Sequence, residues 1–575
     1  MRDLLRALRR GCSALAVLAT GCNTLFDIQE GTPRPLCVGG SSASSQEADA
    51  GSCNATANEP GPDADTVAAG ECTTNAECME RAFGEPVVCD KALRQCVPLK
   101  RGAVCPFVYP TEEVKNDSVV LFGAFMPLRG QAPLSGAVAL DYQLALNELQ
   151  KAGGLPGGTG EPRRPMAAIF CDSSPAASEE GVQHLVQTLR VGALSGLFTE
   201  TDTTRFVQDY TVPAGVFLLN PQTMPETLRN IDVNDLVLHL LGTPREVARA
   251  YRPLFARAER LVRSKLRMRA AQPDAGASPE RNLRVALITS ESPSELAMDS
   301  VVQDPQLGIV VNGVSASTSA TAGDLRRFSI PSLDFEATGF GSTLDQVAVH
   351  RPDIVILLTD NSGLLIPPLE DLLTANAPGA PLPFYLLSSR NGIGFLDYLG
   401  SDRNESTLTK RQRFVGVQYA ASAEPAPRDA WLSRMRDAYP QISRSSYAAT
   451  ENFYDATYWL AFGLYAAGSG APPTGASFQR GVRKLLGGPR IFAGDPRTLS
   501  ESFLALANSD AGVTFVGAQG PPSIDPSTAA WRSVGGVYCY HQPGISEPLA
   551  PTYDVLRYNP LTGELDGDFP CFFSF

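Results

Sequence analysis

The chain has 575 residues, of which 43% are hydrophobic, and its formal net charge is −13. That length predicts several folding units, because an ordinary domain holds on the order of 100–150 residues. The acidic balance argues against nucleic acid as a partner and against a broad electrostatic attachment to anionic lipid, since both need a basic surface.

The first residues have the composition of a signal peptide. A basic segment, MRDLLRALRR, precedes a short apolar core, SALAVLAT, and then the sequence GCN. The apolar core is too short to span a membrane, and no later segment has the roughly 18 uncharged apolar residues that a span needs. LATGC resembles a bacterial lipobox, which implies removal of residues 1–21 and lipidation of Cys22. An ordinary signal peptide cleaved nearby is the alternative.

Cysteines cluster after the signal peptide. Seven of the ten cysteines that follow Cys22 lie between Cys37 and Cys105. An even number of cysteines in an exported chain predicts disulfides. The densest part has no paired C-x-x-C knuckles and no histidine, so a zinc site is not expected. The sequence does not determine which of these cysteines pair, and the working hypothesis is alternation, Cys72 with Cys89 and Cys78 with Cys96.

The remaining cysteines suggest further bridges. Cys539 and Cys571 both lie in the long C-terminal tail and are predicted to pair with one another. Cys171, at the end of a predicted strand, then needs a partner such as Cys105 or stays free. Residues 22–71 are rich in Gly, Ser, Ala and Asp and predict a flexible tether. Residues 72–105 form a cysteine-rich module, which resembles those near the start of bacterial surface lipoproteins.

The remainder, residues 117–575, has one repeating sequence pattern. Apolar runs such as SVVLFGAFM, PMAAIFC, AGVFLLNP and LRVALITS alternate with helical patterns such as SEEGVQHLVQTLR. This predicts parallel α/β sheets covered on both faces. Small polar residues concentrate where ligands bind in such sheets, in the loops after the strands: MPLRGQAPLSG, FTETDTT, NPQTMPET and TSESPSE. That distribution fits a binding protein and equally fits ordinary loops of α/β folds.

Several motifs occur in a familiar order. PLRG follows the first strand, LQKAGGLPGG ends the next helix, and YDATYW begins a late helix. The set resembles the type I periplasmic-binding-fold proteins, the branched-chain amino-acid-type substrate-binding proteins of ABC transporters. The resemblance implies two α/β lobes that enclose a ligand. Lobe one is placed at about 117–243 and 420–512, and lobe two at about 244–419 and 513–575.

The resemblance also implies ligand-binding residues in lobe one. Family members hold an amino-acid carboxylate with hydroxyls and backbone N–H groups from two loops. Those loops carry Thr199 and Thr201, and Asn220 and Thr223. Free N–H groups at helix starts suit an anion, but capping of helices by the same residues is an equal alternative. Arg129 replaces a small hydroxyl residue, so it is a candidate partner for an acidic ligand or a solvated loop residue.

Two positions in lobe two depart from the family. Asn391 stands where the family has an acid for the ligand amine, and Ser292 replaces a cleft aromatic. Both are retained as candidate ligand contacts, but the loss of a charge-assisted bond argues against a simple amino-acid ligand.

No catalytic pattern is present. The four histidines, His184, His239, His350 and His541, are scattered, and the sequence has no H-E-x-x-H, G-x-S-x-G or Walker loop. The sequence therefore predicts no enzyme, no catalytic residue, no metal site and no cofactor.

The predicted function is that of an extracytoplasmic solute-binding lipoprotein, which captures a small polar ligand, amino-acid-like or another anion, for an ABC importer or a sensor. The alternative is an outer-membrane surface lipoprotein that uses the fold as a protein-interaction scaffold without a small ligand. The predicted partners are accordingly a small molecule and either an ABC permease or a surface protein. The predicted location is the cell envelope, lipid-anchored, on the periplasmic side of the outer membrane rather than at the inner membrane, since Asn23 and not an acid follows Cys22.

Overall fold

The computed structural model describes residues 71–567, apart from 129–131, 159, 197, 272–280, 332–338, 360–361, 389–394, 401–404, 421–423, 443–449, 526 and 542–549. The predicted signal peptide, Cys22, the predicted tether except Glu71, and the candidate residues Arg129 and Asn391 lie outside the described residues, as does Cys571. The chain forms two compact units. Unit 1 holds the described residues up to Phe198, Arg205–Leu219 and Pro427–Ala518, and unit 2 holds Thr199–Thr204, Asn220–Ala426 and the described residues from Gln519.

Strands and helices alternate along most of the described chain. The strands are β1 Val87–Asp90, β2 Gln95–Pro98, β3 Phe107–Tyr109, β4 Val120–Met126, β5 Met166–Asp172, β6 Ala193–Gly196, β7 Phe217–Asn220, β8 Val237–His239, β9 Val285–Ser290, β10 Val310–Val311, β11 Val314–Ser315, β12 Leu325–Ile330, β13 Ile354–Leu358, β14 Phe384–Leu387, β15 Phe414–Tyr419, β16 Arg490–Phe492, β17 Thr514–Val516, β18 Ile524–Asp525, β19 Ala530–Trp531, β20 Gly535–His541, β21 Ala550–Asn559 and β22 Glu564–Asp566.

The helices between them vary from one turn to about six turns. They are α1 Asn75–Arg81, α2 Ala132–Lys151, α3 Ser178–Gln183, α4 Glu200–Phe206, α5 Pro244–Ala248, α6 Tyr251–Ala270, α7 Pro293–Val302, α8 Ala316–Ala322, α9 Gly341–His350, α10 Ser362–Asn376, α11 Phe395–Leu399, α12 Glu405–Arg411, α13 Pro425–Ala438, α14 Glu451–Ala466, α15 Gly475–Arg483 and α16 Pro496–Ala507. Short 3₁₀ or π turns occupy Thr111–Lys115, His184–Thr188, Val207–Thr211 and Glu226–Leu228.

The cysteine-rich module is a small folded piece of α1 and the antiparallel pair β1 and β2. Disulfides join Cys72 to Cys89 and Cys78 to Cys96, which confirms the alternating pairing. The four sulfurs and their neighbours form a buried cluster of their own. So small a cluster buries little apolar surface, and the two bridges compensate for that deficit.

The module is part of unit 1. Strand β3 continues from it and pairs antiparallel with β5 at the edge of the unit 1 sheet. A third disulfide joins Cys105 to Cys171 in β5. The side chain of Asp117 accepts a hydrogen bond from the backbone N–H of Asn75 at 2.7 Å. The hypothesis that Cys171 pairs with Cys105 is therefore confirmed.

The rest of the unit 1 sheet is parallel. Its strand order is β7-β6-β4-β5-β3, and only β3 runs antiparallel to its neighbour. Every residue of β5 is buried, as expected for a parallel strand covered on both faces. Helix α2 ends at Lys151, and it is followed by Gly153 and Gly154, whose φ angles are +84° and +81°. Only glycine adopts this left-handed conformation without a Cβ clash, which accounts for the glycine pair in the sequence.

Unit 2 contains a second parallel sheet. Its strand order is β12-β9-β13-β14-β15, and β20, β21 and β22 extend it in antiparallel fashion. Alternate residues of β9 belong to two cores. Val285 and Leu287 pack with α6, whereas Ala286 and Ile288 pack with α9 and α10. Helices therefore cover both faces of the sheet, and the predicted α/β class with parallel sheets is confirmed.

The C-terminal tail contributes twice to unit 2. Besides β20 to β22, it supplies β18 and β19, and β19 pairs in parallel with β8 through Ala530 and His239. Cys539 in β20 is disulfide-bonded, with a partner outside the described residues. The pairing of Cys539 with Cys571 stays a prediction.

Candidate functional site

Three of the polar loops that the sequence singled out belong to unit 2. They follow the carboxyl ends of β6, β7 and β9, and they begin at Thr199, Asn220 and Glu291. The side chain of Glu200 connects them. Its Oε1 accepts the backbone N–H of Glu226 at 2.8 Å, and its Oε2 accepts the backbone N–H of Ser294 at 3.0 Å.

The position of Glu200 has a clear electrostatic reason. Ser294 lies in the first turn of α7, where backbone N–H groups have no partner within the helix. The dipole of the helix favours negative charge at that end. Glu226 begins a 3₁₀ turn with a donor of the same kind. The Glu200 carboxylate therefore occupies two helix-start donors of the type that a ligand anion would use.

Thr199 caps the helix that carries Glu200. Its hydroxyl accepts the backbone N–H of Asp202 at 3.0 Å, and its carbonyl oxygen accepts the hydroxyl of Thr203 at 2.9 Å. Thr201 is exposed, and the described residues make no side-chain hydrogen bond to it. The capping alternative thus describes Thr199, while the Thr201 hydroxyl remains open to solvent.

Asn220 uses its side chain within its own loop. Its Nδ2 donates to the carbonyl oxygen of Thr223 at 3.3 Å and to Nδ1 of His239 at 2.9 Å. Its Oδ1 accepts the backbone N–H of Gln222 at 3.1 Å. The buried amide therefore fixes the shape of the loop. It leaves the half-buried hydroxyl of Thr223 without a hydrogen bond to any described residue.

Ser292 precedes α7 and is half-buried. Its hydroxyl donates to the carboxylate of Glu295, a residue of the same helix that is 4% exposed. No side-chain capping bond runs from Ser292 to the backbone of α7. The hydroxyl is thus oriented by Glu295 beside the Ser294 N–H group that Glu200 occupies.

The PLRG loop belongs to unit 1 and is held by an acid. The Oδ1 of Asp172 accepts the backbone N–H groups of Leu128 and Ser174, both at 3.1 Å, and its Oδ2 accepts the hydroxyl of Ser174 at 2.8 Å. Asp172 ends β5, so it joins the loops that follow β4 and β5. Arg129 itself, the candidate of this loop, is outside the described residues.

The structure thus brings the loops of Thr199, Asn220, Thr223 and Ser292 into one unit, and it adds two residues that sequence reasoning missed. Glu200 resembles any acid in the first turn of a helix. His239 sits in the apolar run VLHLL, and only its contact with Asn220 distinguishes it. Within the described residues, no helix combines the length and apolar content needed to cross a membrane. The group of sulfurs of Cys72, Cys78 and Cys89, which has metal-ligand spacing, is engaged in the disulfides.

The chain is similar to several solved structures at low sequence identity. No protein-family model and no curated protein matches the chain. A solute-binding protein of an ABC transporter from R. palustris, solved in complex with benzoate, is 17% identical, with 75% of this chain and 95% of that chain covered and a TM-score of 0.45. A putative branched-chain amino acid ABC transporter from Silicibacter pomeroyi is 15% identical, with 78% and 98% covered and a TM-score of 0.47.

A third similar structure is the substrate-binding protein of an ABC transporter from Desulfitobacterium hafniense, solved in complex with Leu. It is 13% identical, with 76% of this chain and 100% of that chain covered and a TM-score of 0.44. At such identities the likeness concerns the fold alone.

Proposed function

We propose that the chain is an extracytoplasmic solute-binding lipoprotein that takes up a small polar ligand at the loops around Glu200, for an ABC importer or a sensor. The observation that carries the proposal is the convergence of three hydroxyl-bearing loops on one carboxylate. Each loop follows the carboxyl end of a parallel strand, which is the edge where ligands bind in α/β sheets.

The groups at this place define the ligand chemistry. The hydroxyls of Thr201 and Thr223 have no described partner, so they are available to ligand oxygens or nitrogens. The Glu200 carboxylate accepts one N–H group on each oxygen, and each oxygen keeps a further lone pair. A ligand with an ammonium group therefore has an acid to pair with, although Asn391 stands where the related proteins have theirs.

The same carboxylate favours the alternative function. Because Glu200 binds the Ser294 N–H group, a ligand carboxylate finds that donor taken. A domain whose anion position is filled by its own side chain suits a surface lipoprotein that works as a protein-interaction scaffold. The two functions differ in what happens when Glu200 loses its charge.

Thermal unfolding of the exported chain against amino acids, short peptides, amides, dicarboxylates and benzoate tests the proposal. A ligand at 100 times its Kd adds about 2.7 kcal/mol to the free energy of unfolding, which raises Tm by a few degrees. We expect a stabilising compound whose effect is lost in Thr223→Ala and persists in Thr321→Ala, an exposed threonine of α8 in the same unit.

The variant Glu200→Gln separates the outcomes. If an amine-bearing ligand stabilises the wild-type chain and not Glu200→Gln, the acid is part of the binding site. If only Glu200→Gln responds, and it responds to carboxylates, the wild-type site is closed by its own side chain. Absence of any response in both folded proteins overturns the receptor function and leaves the scaffold.

The anchor is a separate part of the proposal. We expect Cys22 to carry lipid and to hold the chain at the periplasmic side of the outer membrane. Membrane fractionation of cells that express the wild-type chain and Cys22→Ala tests this, since the variant should move from the membrane to the soluble fraction. Recovery of the wild-type chain in the inner-membrane fraction would contradict the proposed location.

A further inference from the structure

A cavity of about 390 Å³ lies in unit 2, beside β8. It differs from the place around Glu200, because neither Glu200 nor Ser294 lines it. Residues that follow β7 form one wall, and residues 527–529 of the C-terminal tail form the other. Its volume lies within the range of small-molecule sites, which is roughly 300–1,000 Å³.

His239 lines this cavity with a fixed tautomer and is 2% exposed. Its Nδ1 faces the Nδ2 of Asn220, and that amide cannot be reversed, because its Oδ1 accepts from Gln222 and its Nδ2 donates to Thr223. Nδ1 is therefore an acceptor, and the ring proton of the neutral imidazole sits on Nε2.

The side-chain hydrogen bond described for His239 is the one at Nδ1, and His239 lines the cavity, so its Nε2–H group is available to a molecule bound there. Burial also lowers the pKa of His239 to about 3, so the ring is uncharged at neutral pH. The uncharged Nε2–H group of His239 is thus a donor in the cavity lining that suits an oxygen acceptor of a ligand.

The rim of the cavity is acidic. Asp232 and Asp235 line it and are exposed, and the hydroxyls of Ser527 and Thr528 lie on the opposite wall. Arg229 also lines the cavity, but its guanidinium pairs with Glu226 at 2.9 Å. Two carboxylates against one guanidinium leave the lining with a net negative charge, which favours cations over anions.

We propose that this cavity is a second binding site, for a small organic cation that also carries hydroxyl or carbonyl oxygens, as an amino sugar does. The cationic group pairs with Asp232 and Asp235, and an oxygen of the ligand accepts the Nε2–H of His239. A carboxylate ligand is disfavoured, because it would meet two like charges at the rim.

Titration calorimetry on the full exported chain tests the site, with glucosamine as the probe and glucose and glucuronate as comparisons. We expect glucosamine to bind, glucose to bind more weakly and glucuronate not to bind. The double variant Asp232→Asn with Asp235→Asn should weaken glucosamine binding by about two- to thirtyfold, the range for the loss of two solvent-exposed ion pairs. Asp371→Asn, an exposed acid of α10 in the same unit, should leave it unchanged.

Further variants distinguish binding in this cavity from binding at the loops around Glu200. Thr223→Ala should not change glucosamine binding, whereas it should abolish binding at the loops around Glu200. His239→Phe removes the donor and should weaken glucosamine binding as well. If that variant does not fold, the Asp232 and Asp235 variants decide. Absence of glucosamine binding, or binding that is unaffected by those variants, overturns the second site.

Discussion

The two sheets are extended from opposite ends of the chain. In unit 1 the extension is β3, three residues that arrive from the cysteine-rich module. In unit 2 it is the antiparallel set β20 to β22, which arrives from the tail. Both additions run antiparallel to the strand they join. They differ in what holds them there.

The short extension depends on a covalent bond, and the long one depends on packing. Strand β3 forms three residue pairs with β5, and the Cys105–Cys171 bridge fixes its start. Strand β20 instead inserts Tyr538, which is 0% exposed and donates to the carbonyl oxygen of Ser388 at 2.7 Å. A short strand buries too little surface to hold its place alone, whereas a long strand with a large buried side chain can do so.

Removal of the bridge in unit 1 should have the largest effect. The bridge closes a loop of 66 residues. Closing a loop of that length contributes about 4 kcal/mol in the chain-entropy description. We expect Cys105→Ala with Cys171→Ala to lower the free energy of unfolding by about that amount in urea titrations.

The pair Cys72→Ala and Cys89→Ala is the matched control. The Cys72–Cys89 bridge closes a loop of 17 residues within the module. Its removal should therefore loosen the module and leave the β3 edge in place. If the Cys105 and Cys171 variant loses less than about 1 kcal/mol, β3 is held by its hydrogen bonds and the contrast between the two edges fails.

Next in size is a change that disturbs the packed edge of unit 2. Gly416 of β15 lies opposite Tyr538, and a Cβ built on it would come 2.1 Å from Cζ of that ring. The ring is enclosed, so Gly416→Ala should cost about 3 kcal/mol, at the upper end of overpacking effects. Denaturant unfolding should detect this loss. Gly341→Ala, where no atom lies within 4 Å of the new Cβ, serves as the control.

A double variant tests the cause of that loss. Replacing Tyr538 by Leu in the Gly416→Ala background removes the clash, so the two changes together should destabilise the protein by less than the sum of the separate effects. Simple additivity would mean that Gly416 matters for a reason other than the ring.

The contact between the tail and His239 should make the stability of the protein fall at acidic pH. His239 receives the tail through its backbone N–H, which donates to the carbonyl oxygen of Ala529 at 2.9 Å. Its pKa falls to about 3 in the folded chain, below the value of about 6.5 for an unfolded histidine. The unfolded state therefore binds the extra proton between these values, and stability falls as the pH drops from about 6.5 towards 3.

From pH 6.5 to pH 5 this one group should account for a loss of about 1.6 kcal/mol in the free energy of unfolding. The variant His239→Gln should lose correspondingly less over the same range when unfolding is followed at each pH. Tyr538→Phe, which removes no group that titrates there, should keep the wild-type slope. If the free energy of unfolding fell equally with pH in all three proteins, the His239 ring would be exposed to water rather than buried.

The smallest expected effect is the loss of one hydroxyl. Tyr538→Phe keeps the ring that fills the space opposite Gly416 but removes the hydrogen bond to Ser388. A buried hydrogen bond of this kind contributes about 1 kcal/mol. Urea unfolding should detect that loss and none in Tyr558→Phe, a half-buried tyrosine of β21. A loss as large as that of Gly416→Ala would mean that the hydrogen bond, not the packing, holds the edge.

Local patterns predicted much of the fold. The alternation of apolar runs and helices predicted the parallel sheets, and Gly153 and Gly154 marked the end of α2 because positive φ angles require glycine. The four cysteines of the module allow three pairings, so the sequence predicted disulfides there but did not by itself select the alternating pairing that the structure has. These features depend on residues that are close in sequence.

The features that sequence reasoning missed depend on distant residues. The antiparallel extension of unit 2 pairs β15 with β20, more than a hundred residues apart. Glu200 reaches Ser294 across 94 positions, and a helix-starting acid gives no sign of that target. The cavity beside His239 needs residues 527–529 as its second wall. No periodicity in the sequence encodes such pairings.

The Cys105–Cys171 bridge also determines how the chain responds to mechanical force. A pull applied at the N-terminal side reaches β5 through the bridge without passing along residues 106–170, which include β3, β4 and α2. Those elements cannot be drawn out one after another, because the covalent bond takes the tension first. The segment between Cys105 and Cys171 therefore adds nothing to the length over which the chain can be extended while the bridge is intact.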